Sequence, residues 1–139
     1  MQEGSRYMQE NDEVVYDSKT SLSWSCLDSR QDLGKDISWD EAQEYVTGKN
    51  RQSLGGHVDW KIPTVQEALS LFDQDRANKD FKGGDIHIDS IFQPGAGPCT
   101  WTSSERGREA QIIFYLNGCA YWYEKNDKTI SHAVRLVRR

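Results

Sequence analysis

Apolar and polar positions change rhythm along this chain. Val14-Val15-Tyr16 and Leu22-Ser23-Trp24 are short β-branched and aromatic runs around the turn-rich Asp17-Ser18-Lys19-Thr20. That pattern predicts a hairpin. Ser38-Trp39-Asp40-Glu41 then reads as a capping box, with the Ser38 hydroxyl set for the Glu41 amide and the Glu41 carboxylate set for the Ser38 amide. A helix is expected from there to about Thr47, with Gly48 as its stop. Trp39, Ala42, Tyr45 and Val46 share its inward face by helical spacing. Thr64-Val65-Gln66-Glu67 is a second box, preceded by Pro63, and predicts a helix to about Asp75 that turns Val65, Ala68, Leu69 and Phe72 inward.

Between and after these elements the periodicity fades. Residues 26–37 read as a polar loop. Residues 76–98 read as a long loop around Gly83-Gly84 and Pro94-Gly95-Ala96-Gly97-Pro98, with Ile88 to Phe92 as one helical turn within it. A loop of that length needs a role or a packed place in the fold. Strand character returns at Ile112–Leu116 and Cys119–Tyr123, joined by Asn117-Gly118, a strong hairpin signal. A two-residue turn sets Leu116 opposite Cys119, Phe114 opposite Tyr121 and Ile112 opposite Tyr123. One face then carries Ile113, Tyr115, Ala120 and Trp122, and the other carries Ile112, Phe114, Tyr121 and Tyr123. Ala133–Val137 is the expected last strand. Residues 1–12 lack periodicity and are expected as a disordered or non-native tail, leaving residues 13–139 as one domain. Strands, two helices and then more strands make an α+β chain.

Composition narrows the class. The chain has 139 residues, with five Trp, six Tyr and four Phe, enough large apolar surface for a folded domain. Its longest apolar run is the five residues from Ile112 to Leu116, too short to span a membrane. The net charge is −5, which argues against a general nucleic-acid binder. That charge is uneven: residues 1–99 hold 10 basic and 18 acidic side chains, whereas residues 100–139 hold 7 and 4. Cys26, Cys99 and Cys119 allow at most one internal disulfide, with Cys99–Cys119 the first choice and three free thiols the alternative. The three histidines have no ligand spacing with one another or with the cysteines, so no metal is expected. Ser103-Ser104-Glu105 is not a nucleophile elbow, and no Gly-Lys-Ser/Thr follows the glycine pairs 55–56 and 83–84. Neither a catalytic residue nor a cofactor is expected.

The order of these features resembles a known family. Asp17, Thr20, Leu22 and Trp24 come first. Trp39 and Ala42 follow in the first helix, then Asp59-Trp60-Lys61-Ile62-Pro63-Thr64 with Glu67. Ile88, Asp89 and Phe92, then Trp101, Ser103 and Ser104, and finally Val134-Arg135-Leu136-Val137-Arg138 complete the series. Over about residues 12 to 139 this resembles the C-terminal domain of the Legionella collagen-like protein, a bacterial domain family. The resemblance implies a C-type-lectin-like fold with two helices beside a small antiparallel sheet, and an exported recognition domain at the cell surface or in the periplasm. It also implies structural places for Trp24, Trp39, Asp59, Trp60, Pro63, Trp101 and Arg135. Family members often carry a cysteine pair where Val46 and Leu136 stand here, so these two side chains are expected to pack together. Arg135 is expected to be partly buried against a carboxylate, with Asp59 the first choice. The calcium-dependent sugar motifs of true C-type lectins are missing. Gln93-Pro94-Gly95 lacks a third oxygen ligand, and the Asn126-Asp127 pair lacks a partner motif.

The functional expectation is a non-catalytic module that binds glycans or other extracellular ligands. The alternative is a structural or protein-interaction subunit of a larger bacterial assembly. Phe114, Tyr121 and Tyr123 are the expected apolar or stacking contacts, and Arg106, Arg108, Lys125 and Lys128 the expected donors to acidic groups on a ligand. The competing expectation for this aromatic face is that the 76–98 loop or a neighbouring subunit covers it. A homo-oligomer is compatible with this pattern.

Overall fold

The computed structural model describes residues 5–139. Its strands are β1 (Tyr7–Asn11), β2 (Val14–Asp17), β3 (Leu22–Ser25), β4 (Asn78–Lys79), β5 (Asp85–Ile86), β6 (Cys99–Arg106), β7 (Glu109–Phe114), β8 (Cys119–Glu124) and β9 (Val137–Arg138). Its helices are α1 (Ser29–Leu33), α2 (Trp39–Arg51) and α3 (Val65–Leu69), with a 3-10 turn at Leu54–Gly56. The strands form sheets ordered β1-β2-β3-β9, β4-β5 and β6-β7-β8, with antiparallel pairing throughout. The fold is α+β, as expected, with a third helix in place of two.

Three local expectations change. Residues 1–4 lie outside the described part, but Tyr7–Asn11 is a strand rather than a tail. Tyr7 is buried edge-on to Phe92, and the Arg6 guanidinium grips the Asp17 carboxylate at 2.8 and 2.7 Å. Helix α1 occupies part of the stretch expected as loop. Asp28 and Gln31 form its capping box and Gly34, at φ 72°, ends it. Helix α2 runs through Gly48 to Arg51, while α3 stops at Leu69, where Ser70 to Phe72 tighten into i→i+3 turns.

Side-chain alternation in the strands builds two cores back to back. Val15, Trp24, Ile113, Tyr115 and Val137 join Ala68, Leu71, Ile86, Ile88 and Phe92 in one. Val14, Ile112 and Leu136 join Ile37, Ala42, Trp60, Ile62, Trp101 and Val134 in the other. Neighbours 14 and 15, 112 and 113, and 136 and 137 therefore serve opposite cores, because successive side chains of a strand point to opposite faces. The long 76–98 segment is packed through Ile86, Ile88 and Phe92 into the first core, on the Ile113 side of the sheet. It does not lie on the Ile112 side.

The C-terminal segment ties these halves together. Only Val137–Arg138 is a regular strand, yet residues 132–137 are all buried. Ala133 accepts from the Trp101 amide, Val134 from the Ser29 amide and Leu136 from the Ser25 amide. Leu136, buried, and Val46, only partly buried, belong to the same second core. Arg135 is only 3% exposed. It does not pair with Asp59. Its Nη1 donates to the Ser25 and Cys26 carbonyls at 2.9 and 2.6 Å, and its guanidinium lies 4.7 Å from the Phe92 ring centroid. Arg135 points inward to these carbonyls, whereas Asp59 is at the surface and takes the neighbouring Arg138 at 2.5 and 3.2 Å.

The β7–β8 hairpin closes through four residues, not two. Phe114 faces Cys119, Ile112 faces Tyr121 and Ala110 faces Tyr123. Tyr115 is the reason. Its hydroxyl donates to the Ala68 carbonyl at 2.9 Å and its amide to Pro98 at 2.8 Å, so it leaves the hairpin ladder for the first core. Gly118 completes the turn at φ 70°, and its missing side chain leaves room for the Phe72 ring. The shift is two residues, so the two expected faces survive. Cys99 and Cys119 both sit opposite Phe114, on β6 and β8, with β7 between them. Two strand spacings are roughly 9.5 Å, beyond the reach of a disulfide. All three cysteines are free thiols.

Two outcomes follow from this packing. Arg135→Met should lower the unfolding free energy in urea by about 3–5 kcal/mol, because two buried carbonyls and the nearby Asp28 lose their cation. Arg138→Ala, at the surface, should cost under about 1 kcal/mol. Equal losses would refute the structural weight given to Arg135. Thiol titration of the folded protein should label exposed Cys119 first and leave Cys99, whose thiol is buried and pushed up to about 12, unreactive until unfolding. Rapid labelling of Cys99 would contradict its burial.

Candidate functional site

The surviving aromatic face forms a small groove. Ile112 on β7 is its floor, and Phe114, Tyr121, Tyr123 and Ile130 are its walls, around a cavity of about 210 Å³. Phe114 meets Tyr121 edge-on with ring centroids 6.2 Å apart. Tyr121 is 39% exposed, and its hydroxyl is fixed by Asn117 Nδ2 at 2.8 Å. The hairpin turn thus positions the aromatic side chain most open to solvent. Phe114 and Tyr123 are half-buried against the second core. Hence three of the predicted contacts come together and remain accessible.

The predicted cations do not gather there. Arg106 stacks at 4.1 Å over Trp122, on the opposite face of β8, and pairs with Glu109. Lys125 lies over Trp39 and pairs with Glu105 at 2.6 Å. Lys128 pairs with Glu41 at 3.0 Å. Arg108 is exposed and has no carboxylate partner within 4.0 Å among the described residues. It borders a separate polar hollow with Asp40, Gly107, Glu124, Lys125 and Asn126. Of the four, Arg108 is the one free to meet an anion.

The predicted structural residues anchor the surrounding scaffold. Trp24 and Trp101 are wholly buried, and Trp60 nearly so. Indole donors bind carbonyls in three cases: Trp39 to Thr102, Trp60 to Leu54 and Trp101 to Ile37. Buried Pro63 accepts from the Ser103 amide at 2.8 Å. Among the described residues, no group of three or more His, Cys, Asp or Glu side chains is placed to hold a metal.

His132 is a neighbour with no signature in the sequence pattern. It is fully buried, stacked on Trp101 at 4.4 Å and met edge-on by Tyr123 at 5.0 Å. Neither ring nitrogen has a hydrogen-bond partner, and the nearest carboxylate oxygen, on Asp127, is 3.5 Å from Nε2. Burial pushes its pKa below the usual 6.5, against a weaker upward pull from Asp127 and Asp36. Ser131, just before it, holds φ at 64°. This backbone turn puts His132 beneath the groove and Ile130 at its wall. A lone histidine in a polar-flanked stretch gives no sequence signal for such a place.

The sign of its pH effect is fixed. The unfolded chain takes up the His132 proton near pH 6.5, while the folded chain resists it. This contribution is fully present above that pH and is lost as pH falls from 6.5 toward the lower folded value, by up to about 1.4 kcal/mol per pH unit. Urea unfolding between pH 7.5 and 5.5 should show the decline, and His132→Leu should flatten it. Equal slopes in the two proteins would refute the assignment.

No curated protein and no solved structure matches this chain. The family model described as the Lcl C-terminal domain matches residues 13–138, and the chain therefore belongs to that family.

Proposed function

We propose that this chain is a non-catalytic recognition module whose ligand sits in the groove of Ile112, Phe114, Tyr121, Tyr123 and Ile130. One observation supports the reading above others: three aromatic side chains surround an open apolar hollow, and one of them, Tyr121, is presented to solvent by a dedicated hydrogen bond. Aromatic rings stack on the apolar faces of sugars and on apolar side chains, and they lose little conformational entropy in doing so. The hollow is of a size for one sugar ring or one large side chain. A glycan or an extracellular protein segment is the ligand class in this reading, with Arg108, in the separate polar hollow, as the donor to an acidic group on a ligand that extends beyond the groove.

A C-type-lectin-like plan, the absence of an enzymatic role and export to the cell surface or periplasm belong to the same proposal. The pairing of β3 with β9, from opposite ends of the chain, and the packed 76–98 segment support the plan. Family membership supports a bacterial source. The alternative of a protein-interaction subunit is favoured by one separate observation, the outermost place of β8 in the order β6-β7-β8.

A glycan array run beside a protein pull-down tests the reading. A ligand found by either route should lose about 1–2 kcal/mol of binding, roughly 5–30-fold, on Tyr121→Ala, and an acidic one a similar amount on Arg108→Ala. Both variants should unfold at nearly the wild-type urea midpoint, whereas Trp60→Ala should lower the unfolding free energy by about 3–5 kcal/mol. Unchanged binding by Tyr121→Ala and Phe114→Ala would remove the groove from the mechanism.

A further inference from the structure

We propose that β8 is a self-association edge: two copies of this chain pair their β8 strands antiparallel about a two-fold axis at Trp122, joining two three-stranded sheets into one of six strands. The geometry begins with the order β6-β7-β8, which leaves β8 outermost. The Lys125 amide donates to the Arg108 carbonyl at 2.8 Å in the same register that sets Tyr123 opposite Ala110 and Tyr121 opposite Ile112. Hydrogen-bonded and non-hydrogen-bonded pairs alternate along an antiparallel ladder. Tyr121 and Tyr123 thus turn their backbone groups toward β7, and Ala120, Trp122 and Glu124 turn theirs outward.

Among the described residues, none of those three amides has an acceptor in the protein, and the Ala120 and Trp122 carbonyls have no donor; the Glu124 carbonyl takes the Asp127 amide. Other edges of the molecule are managed. The outer side of β6 is covered, since the Trp101 amide goes to Ala133 and the Ser103 amide to Pro63. The β1 edge is broken by a register shift between Gln9 and Asn11. Strand β8 has neither device. It contains no proline, no lysine and no bulge, and its sequence is Cys-Ala-Tyr-Trp-Tyr-Glu. Edges of this kind invite another strand.

The occupant that fits is a second copy, because β8 is complementary to itself. A two-fold axis normal to the sheet requires paired residues on one face, and the outward groups sit at even positions. Both demands are met by centring the axis on Trp122. Each Trp122 amide then reaches the Trp122 carbonyl of the other copy, and each Glu124 amide reaches the other Ala120 carbonyl. Tyr121 falls opposite Tyr123 of the second copy, an aromatic cross-strand pair on the groove side. Glu124 falls opposite Ala120 and Lys125 opposite Cys119, so no charge in the strand meets its like. Such an isologous contact closes at a dimer.

The inference rests on the backbone edge of β8; Tyr121 and Tyr123 also wall the groove, but the groove reading requires no second copy, so failure here leaves it standing. Light scattering on the full chain should give a mass near twice 16.0 kDa. Glu124→Pro removes an outward amide that the isolated fold does not use, and should return the chain to a monomer with an unchanged circular dichroism spectrum. In a Cys119→Ser background, Trp122→Cys should cross-link to itself under mild oxidation, since hydrogen-bonded antiparallel partners have Cα atoms roughly 5.5 Å apart. A monomeric wild-type chain overturns the proposal. So does an oligomer that survives Glu124→Pro and forms no Trp122→Cys cross-link, because it would be built on another surface.

Discussion

A buried guanidinium must find hydrogen-bond acceptors inside the protein, and the position of Arg135 constrains much of this fold. Its acceptors are the Ser25 and Cys26 carbonyls, at the exit of β3. Its charge also acts on the Asp28 carboxyl, which is itself buried and accepts the Gln31 and Gly97 amides. Burial pushes the Asp28 carboxyl up, while Arg135 and those amides pull against it. One charged centre thus fixes the C-terminal segment, the start of α1 and the end of the 76–98 loop. Gly97 is part of the same arrangement: a Cβ there would stand 2.9 Å from the Ala133 side chain. A buried charge of this kind is a weak source of net stability, but loss of Arg135 strands the Ser25 and Cys26 carbonyls in a dry interior.

That centre also explains why the site is where it is. With the C-terminal segment threaded between β3 and β6, the β6-β7-β8 sheet has a core on each face at its β7 end. Ile112 and Ile113 are both completely buried as a result. The cover runs out toward β8, where Tyr121 emerges and the outer backbone groups lack partners. The same thinning of cover produces the groove on one face and the open edge beside it. His132 links the groove to the interior, since its ring fills the space between Trp101 and Tyr123 without satisfying either nitrogen.

The sequence by itself determined the α+β class, both predicted capping boxes, the first hairpin and the two faces of the last one, because each follows from contacts within a few residues. It also carried the family, through many weak motifs in order. The Asp28-x-x-Gln31 box of α1 was present too, but with no apolar periodicity behind it the five-residue helix did not stand out. Tertiary structure decided the rest. Tyr115 is drawn to Ala68 and Pro98, and this turns a two-residue loop into one of four. Arg135 chooses carbonyls over Asp59, because it faces inward while Asp59 is at the surface. Of the site, the aromatic trio was legible, since a register error of two residues preserves sidedness in a strand. The four cations were not, because surface lysines and arginines take whichever carboxylate the fold brings near, and of these four only Arg108 was left without one among the described residues. Local chemistry sets which face a strand residue occupies; long-range packing sets what that face meets.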